Sequence, residues 1–348
     1  MAPGIMGPYR FMHPHDRVIR YIVTAVFSLV APVLLGRIID HVQLGLVSAL
    51  GGLALMNEVY NNSGKRQIRN LVYAIVSSLT AFVTGMAIEG TSLLSLFLLP
   101  FIALAASTVG EINREFIRNA GRFLVFLVIG FHFHVTREIG FIFSLCFLAG
   151  ALWTSLVIAS IKIFAGKKDT MPETQKTYTA GQYLRHWRKS LSTLQGWQFP
   201  LRITSCLLAA QIVRYFVPGH HSYWILLTVV LVTQHNIEHQ IIRIKNRGLG
   251  TLLGVVLSFV FVHFKMPFPV VIVFLGILAS LRVVFRETNY LLYAAVMTPL
   301  VIILLDFGAS VSFSLLFDRL AATVIGCVIS LIFGFLIWRK FIGSIRPN

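Results

Sequence analysis

Two histidines and a glutamate have zinc-peptidase spacing in the segment His235-Asn236-Ile237-Glu238-His239. On a helix, this H-x-x-E-H pattern would place His235 and His239 on one face, with Glu238 as general base beside a bound zinc ion. The sequence offers no evident third ligand, and the segment joins an apolar stretch to a basic one. A membrane metallopeptidase is therefore only a remote alternative. We predict no catalytic residues, no metal and no cofactor.

Trp224, Thr228 and Gln234 lie along the apolar stretch that precedes this segment. Trp224 and Thr228 are four residues apart and would share a helical face. An indole ring beside a hydroxyl and an amide suits an aromatic acid, because the ring stacks while the polar groups bind the carboxylate. The alternative is an interfacial tryptophan anchor with a threonine that packs between helices. We predict that all three residues bind substrate.

Arg243 and Arg247 follow one helical turn apart, and Arg247 opens the run Arg247-Gly248-Leu249-Gly250-Thr251-Leu252-Leu253-Gly254. Glycines four residues apart are typical of helices that pack closely in lipid. An exposed helix N-terminus flanked by arginines could instead hold a carboxylate through backbone N–H groups. We predict that Arg243 and Arg247 bind the substrate anion from the cytoplasmic side.

The segment Tyr223-Trp224-Ile225-Leu226-Leu227-Thr228, the following Val232-Thr233-Gln234 and the Arg247–Gly254 run together resemble the fusaric acid resistance protein family, also called aromatic acid exporters. The resemblance covers about residues 200–335. It implies an inner-membrane transporter that exports small aromatic or other weak organic acid anions. A more distant likeness to plant aluminium-activated malate channels gives the alternative of a passive organic-anion channel. Longer members of the family carry a large cytoplasmic domain, where this chain has only a short linker.

The composition independently indicates a membrane protein. Of the 348 residues, 56% are hydrophobic and only 12% are charged, whereas soluble domains are about 25% charged. A soluble core cannot bury this much apolar surface, so a soluble enzyme and a disordered chain are excluded. Three cysteines far apart within apolar stretches indicate neither a disulfide scaffold nor a thiolate site. The N-terminal segment has no cleavage pattern, so we expect the first span to be retained.

Apolar segments of membrane-spanning length predict an all-α membrane protein with about twelve transmembrane helices. The predicted spans are 18–36, 42–57, 71–88, 91–109, 120–134, 139–164, 201–217, 222–235, 248–264, 268–285, 289–305 and 319–338. A polar stretch separates the first six from the last six. We expect a first six-span repeat at 1–164, a cytoplasmic linker with an interfacial amphipathic helix at 165–199, and a second repeat at 200–348.

The distribution of positive charge predicts the orientation. With the N-terminus inside, 25 of the 30 Lys and Arg residues lie on the inner side of these spans and 5 on the outer side, as the positive-inside rule requires. Both termini are then cytoplasmic. The net charge of +17 is mainly a topology signal, and we expect no nucleic-acid partner.

A shift of 180 residues aligns polar residues of the two halves, among them Ser48 with Thr228 and Glu58 with Glu238. Both halves begin inside, so the chain is predicted to consist of two parallel repeats. The second span of each half is short or interrupted by glycine, which indicates a transport site. We therefore expect a pocket with Trp224 and Thr228 on one wall and Ser48 opposite. Glu58 is expected to pair with Lys65 of its own loop.

The expected location is the bacterial inner membrane. The expected partners are the lipid bilayer, a small organic anion, and either a periplasmic adaptor protein or further copies of the chain. The sequence leaves the driving force open.

Overall fold

The structure is a computed structural model, which describes residues 14–58, 65–88, 93–133, 135–165, 180–216, 221–264, 266–306 and 313–339. These residues form helices and contain no β-strand. The prediction of an all-α protein is therefore confirmed for the described part of the chain.

Helices cover the predicted spans in both halves. The first half contains α1 (Pro14–Ile38), α2 (Val42–Leu55), α3 (Lys65–Ala87), α4 (Leu93–Gly110), α5 (Arg114–His132) and α6 (Arg137–Ala165). Within the predicted linker lies α7 (Ala180–Leu191). The second half contains α8 (Leu194–Phe216), α9 (Tyr223–Val232), α10 (Gln240–Phe264), α11 (Phe268–Thr288), α12 (Tyr290–Asp306) and α13 (Phe313–Leu331), which continues as a π-helix over Ile332–Leu336.

Six of the described helices are long and apolar enough to cross a membrane. They contain the segments Val18–Ile38, Gln67–Ala87, Leu93–Gly110, Arg137–Ile163, Phe268–Thr288 and Phe313–Arg339. Large apolar side chains on their surfaces are exposed; in α4, Phe97 and Phe101 are 62% and 66% accessible. Such faces are compatible with lipid and not with water. The chain is a multi-pass membrane protein, while α2, α9 and α12 are shorter apolar helices.

The helices pack in matching pairs in the two halves. In the first half, α3 packs on α5, α2 on α6, α1 on α2 and α4 on α5; in the second, α10 packs on α12, α9 on α13, α8 on α9 and α11 on α12. The halves meet where α4 packs on α8 and α1 packs on α11, with further contacts of α5 on α9 and α2 on α12. At the first of these, Gln211 Nε2 donates to the backbone oxygen of Ser95 at 3.2 Å.

Glycines allow α10 and α12 to approach closely. An added Cβ at Gly254 would lie 2.5 Å from the backbone oxygen of Ala295, and one at Gly250 would lie 2.6 Å from that of Leu291. Helix packing, the first of the two interpretations of this glycine run, is thus what the structure shows. The anion-binding helix start is wrong, because α10 begins at Gln240. Hydropathy predicts the start of this span at residue 248, but α10 extends about two turns further toward the N-terminus, into the polar segment.

Candidate anion-binding site

Arg243 and Gln234 are brought together at the start of α10. Arg243 Nη1 donates to Gln234 Oε1 at 2.6 Å, and its guanidinium lies 4.3 Å from the ring centre of Tyr290 on α12. Arg247, one turn further along α10, is only 2% exposed. The predicted site residues Gln234 and Arg243 are therefore in direct contact, and Arg247 lies on the same helix as Arg243.

Two arginines of α11 join them. Arg243, Arg247, Arg282 and Arg286, here called the arginine cluster, all act electrostatically on the hydroxyl of Tyr293. Arg282 Nη1 also lies 3.2 Å from Met56 Sδ, directly after α2. The cluster therefore lies where α10, α11 and α12 meet the end of α2 from the other half. Sequence reasoning missed Arg282 and Arg286, although a pair of arginines one turn apart at the end of an apolar span was a signal.

The acidic groups near the arginine cluster do not pair with Arg243 or Arg247 in the described part of the chain. Glu58, the carboxylate after α2, is buried in an ion pair with Arg122 of α5; the side chain of Lys65, its expected partner, lies outside the described residues. Arg122 itself acts electrostatically on Arg286. Within the described ranges, no carboxylate lies within ion-pair distance of Arg243 or Arg247. The Glu58–Arg122 ion pair joins the segment after α2 to α5.

The Nε atoms of Arg243 and Arg247 are buried and have no hydrogen-bond partner among the residues that the structure describes. A buried guanidinium without a compensating charge or hydrogen bond is costly. An anion that accepts from these nitrogens would offset that cost through charge-assisted hydrogen bonds. The arginine cluster is therefore suited to hold an anion.

Trp224 and Thr228 lie elsewhere on α9, and both are fully buried. The Arg319 guanidinium of α13 lies 4.5 Å from the Trp224 ring centre, and Thr228 packs against Gly326. At 1.5 Å rise per residue, Trp224 lies about 12 Å along the helix axis from Val232, where α9 ends, and Gln234 follows that end. The predicted substrate residues therefore form two groups at different depths.

Ser48 packs against Gly150 of α6, just as Thr228 packs against Gly326 of α13. Each hydroxyl residue thus contacts the last helix of its own half. These two close approaches occupy corresponding places in the two halves. The predicted pocket between α2 and α9, with Ser48 facing Thr228, stays a prediction.

The H-x-x-E-H segment does not form one α-helical face. Asn236 is extended and its Oδ1 accepts from the N–H of Glu238, so that only Ile237–His239 form a short 3₁₀ turn. His235 and His239 therefore lack the i, i+4 geometry that a zinc site on a helix needs. The described ranges contain no group of three His, Cys, Asp or Glu residues that could hold a metal ion.

Arg202 of α8 fixes the backbone between α9 and α10. Its Nε donates to the oxygen of Gly334 at 2.9 Å, its Nη1 donates to the oxygen of His235 at 3.4 Å, and its Nη2 donates to Gln240 Oε1. Gln240 Nε2 in turn donates to the oxygen of Ser330 at 2.8 Å. Gly334 lies in the π-helical segment Ile332–Leu336. This network holds the start of α10, and with it Arg243.

Comparison with known proteins confirms the family resemblance predicted from the sequence. Residues 206–333, about a third of the chain, match the family model described as fusaric acid resistance protein-like. Two Escherichia coli (strain K12) proteins are similar: the uncharacterized protein YhfK, 33% identical over 119 residues, and the inner membrane protein YccS, 32% identical over 111 residues. An uncharacterized Haemophilus influenzae protein is 30% identical over 123 residues.

These matches are partial on both sides. They cover 34%, 32% and 35% of this chain, and 16%, 15% and 17% of the three relatives respectively. The chain thus matches about a sixth of the length of each curated relative. No solved structure gives a significant match.

Proposed function

We propose that the protein is a transporter that exports small aromatic or other weak organic acid anions across the bacterial inner membrane. The observation that carries the proposal is the arginine cluster, in which Arg243 and Arg247 have buried nitrogens without a partner among the described residues. The family match over residues 206–333 and the membrane-spanning helices support a transport role. The export direction comes from the resemblance, and the aromatic substrate class comes from the resemblance together with the chemistry of Trp224, Thr228 and Gln234.

We also propose that the chain consists of two parallel six-helix repeats, 1–164 and 200–348, with the anion pathway between them. The matching helix pairs of the two halves support this arrangement. The contacts between the halves are also equivalent when the two halves are interchanged. The packing of α4 on α8 then corresponds to that of α11 on α1, and the packing of α5 on α9 corresponds to that of α12 on α2. A pseudo-twofold axis along the membrane normal would relate them. A periplasmic adaptor protein or further copies of the chain would complete the export route.

Replacing Arg247 by alanine tests the proposal. A charge-assisted hydrogen bond to a carboxylate contributes about 1.5–3 kcal/mol, so R247A should lower the transport rate about tenfold or more at subsaturating substrate. The measurement is uptake of a radiolabelled aromatic acid into vesicles that contain the purified protein. R247K keeps the positive charge but lacks the planar guanidinium that can bind a carboxylate through two hydrogen bonds. Its transport rate should lie between those of R247A and the unmodified protein.

Lys245 provides the matched control, because it lies on the same turn of α10 but is exposed. K245A should transport like the unmodified protein. If R247A and K245A behave alike at equal protein yield, the arginines serve topology and not substrate binding. Unsaturable electrical current carried by the anion would instead favour the passive channel.

A further inference from the structure

A carboxyl group and an imidazole meet at the same end of the helix bundle as Gln234. Glu111 lies in the turn after α4, in the first half, and His235 lies between α9 and α10, in the second half. Their Oε1 and Nδ1 atoms are 3.5 Å apart, with the Glu111 side chain only 10% exposed. The pair thus bridges the two halves one residue away from the Gln234–Arg243 contact.

Glu111 is largely buried, whereas the His235 side chain is 46% exposed; His235 contacts one aromatic ring and one cation. The Phe199 ring of α8 lies 5.3 Å from the His235 ring, and Arg202 approaches the backbone of His235. Trp187 of α7 donates to the oxygen of Thr108 at 2.8 Å and covers the turn that carries Glu111.

The neighbouring elements carry other charged groups, several of which have partners of their own. Glu115 of α5 lies 3.8 Å from Arg69 of α3, Arg122 pairs with Glu58, and Arg243 donates to Gln234. The following are exposed: Arg118, Arg185, Arg188, Lys189, Glu238 and His239. The side chain of Arg114 lies outside the described residues.

Both groups have shifted proton affinities. Burial raises the pKa of Glu111 to about 7, because the charged form loses hydration. Burial, and to a smaller extent the charge of Arg202, lowers the pKa of His235. Near neutral pH the imidazole is therefore uncharged, while the carboxyl gains or loses its proton.

We propose that Glu111 and His235 form a proton-binding site that couples proton movement to anion transport. Proton uptake forms an O–H bond on Glu111, which then donates a hydrogen bond to Nδ1 of His235; release returns the proton to water and restores the carboxylate. The carboxylate form adds a negative charge beside Gln234 and repels the anion held by Arg243. The inference rests on the proposed anion transport, and it names the coupling ion.

Transport measured against pH tests the coupling. A carboxyl group with a pKa of about 7 changes its protonated fraction about tenfold between about pH 6 and about pH 8. Transport by the unmodified protein should depend on pH over this range, whereas E111Q, which stays neutral, should lose that dependence and still carry the anion. E238Q, in the same region but exposed, is the matched control and should keep the dependence. Unchanged pH dependence in E111Q overturns the proposal and leaves anion transport standing.

A second measurement is independent of transport. Because the folded pKa of Glu111 is above the ordinary value of 4.5, its contribution to stability is complete below about pH 4.5 and lost as the pH rises to about 7. The Tm of the unmodified protein relative to E111Q should therefore fall over this interval. A constant difference shows that Glu111 does not titrate there and overturns the proposal even if no anion is transported.

Discussion

At the residue level, different protein groups offset the free-energy cost of burying individual arginine side chains. Arg122 is paired with Glu58, Arg202 donates to two backbone oxygens and Gln240, and Arg319 lies over the Trp224 ring. Arg247 is only 2% exposed, and the described part of the chain offers it no ion pair, side-chain hydrogen bond or aromatic ring of this kind. The first three arginines stabilise the fold through protein groups, which leaves Arg247 as the best candidate to bind a ligand.

Trp224 gives a prediction about substrate class. If its ring stacks on aromatic substrates, W224A should reduce export of aromatic acids about twofold to twelvefold more than export of small aliphatic acids, since an aromatic contact contributes about 0.5–1.5 kcal/mol. The measurement is the ratio of the two transport rates in the same vesicles. This ratio cancels losses common to both substrates, including the loss of the Arg319 contact.

W224F retains an aromatic ring and serves as the conservative control. It should restore most of the preference for aromatic acids. Equal losses for both substrate classes in W224A would show that Trp224 is a structural anchor between α9 and α13.

At the scale of elements, glycine sets how closely helices approach. Several helix pairs meet where a Cβ would overlap the partner's backbone, as at Gly51 against Phe147, Gly85 against Leu127 and Gly254 against Ala295. Without a side chain at these positions, the backbones of the two helices can approach closely, and polar residues on the facing surfaces become buried. The position of the arginines on α10 relative to Tyr290 and Tyr293 on α12 depends on this packing.

Two glycines of α10 should respond to alanine in opposite directions. G254A places a Cβ 2.5 Å from the Ala295 oxygen, so we expect it to lower the free energy of unfolding by about 1–3 kcal/mol. G248A has nothing within 4 Å of its added Cβ, and should be neutral or raise stability by up to about 1 kcal/mol.

Denaturant unfolding of the purified protein in detergent measures both variants. Because G248A lies on the same helix, it controls for the general effect of alanine on helix propensity. Equal stabilities of the two variants would show that α10 and α12 are not in close contact at Gly254.

At the scale of the whole molecule, charge and hydropathy predict a single orientation. Both termini and the 165–199 linker should face the cytoplasm, because 25 of the 30 cationic residues then lie inside. A reporter enzyme that is active only in the periplasm should be inactive when fused after Asn348. The same reporter inserted next to Arg137, in the predicted outer loop before α6, should be active and serves as the positive control.

Activity of the fusion after Asn348 would contradict the orientation and the parallel repeat together. With an even number of spans, both ends of the chain must lie on one side. The reporter result is independent of substrate identity and of the proton-binding proposal.

Features that depend on neighbours along the chain could be predicted from the sequence. Hydropathy over about 20 residues predicted spans that overlap helices in both halves, and the chain distance from Gln234 to Arg243 is short enough for local geometry to bring them together. The motif around Trp224 was sufficient for the family resemblance, which the match over 206–333 confirms. Local patterns carry this information because helix formation and membrane insertion depend on consecutive residues.

Contacts between side chains far apart in the chain depend on tertiary packing. Glu58 pairs with Arg122, 64 residues away. Glu111 meets His235 across the two halves, and the arginines of α11 join those of α10. None of these pairings follows from hydropathy or spacing, because each depends on how helices cross and on which glycines allow their close approach.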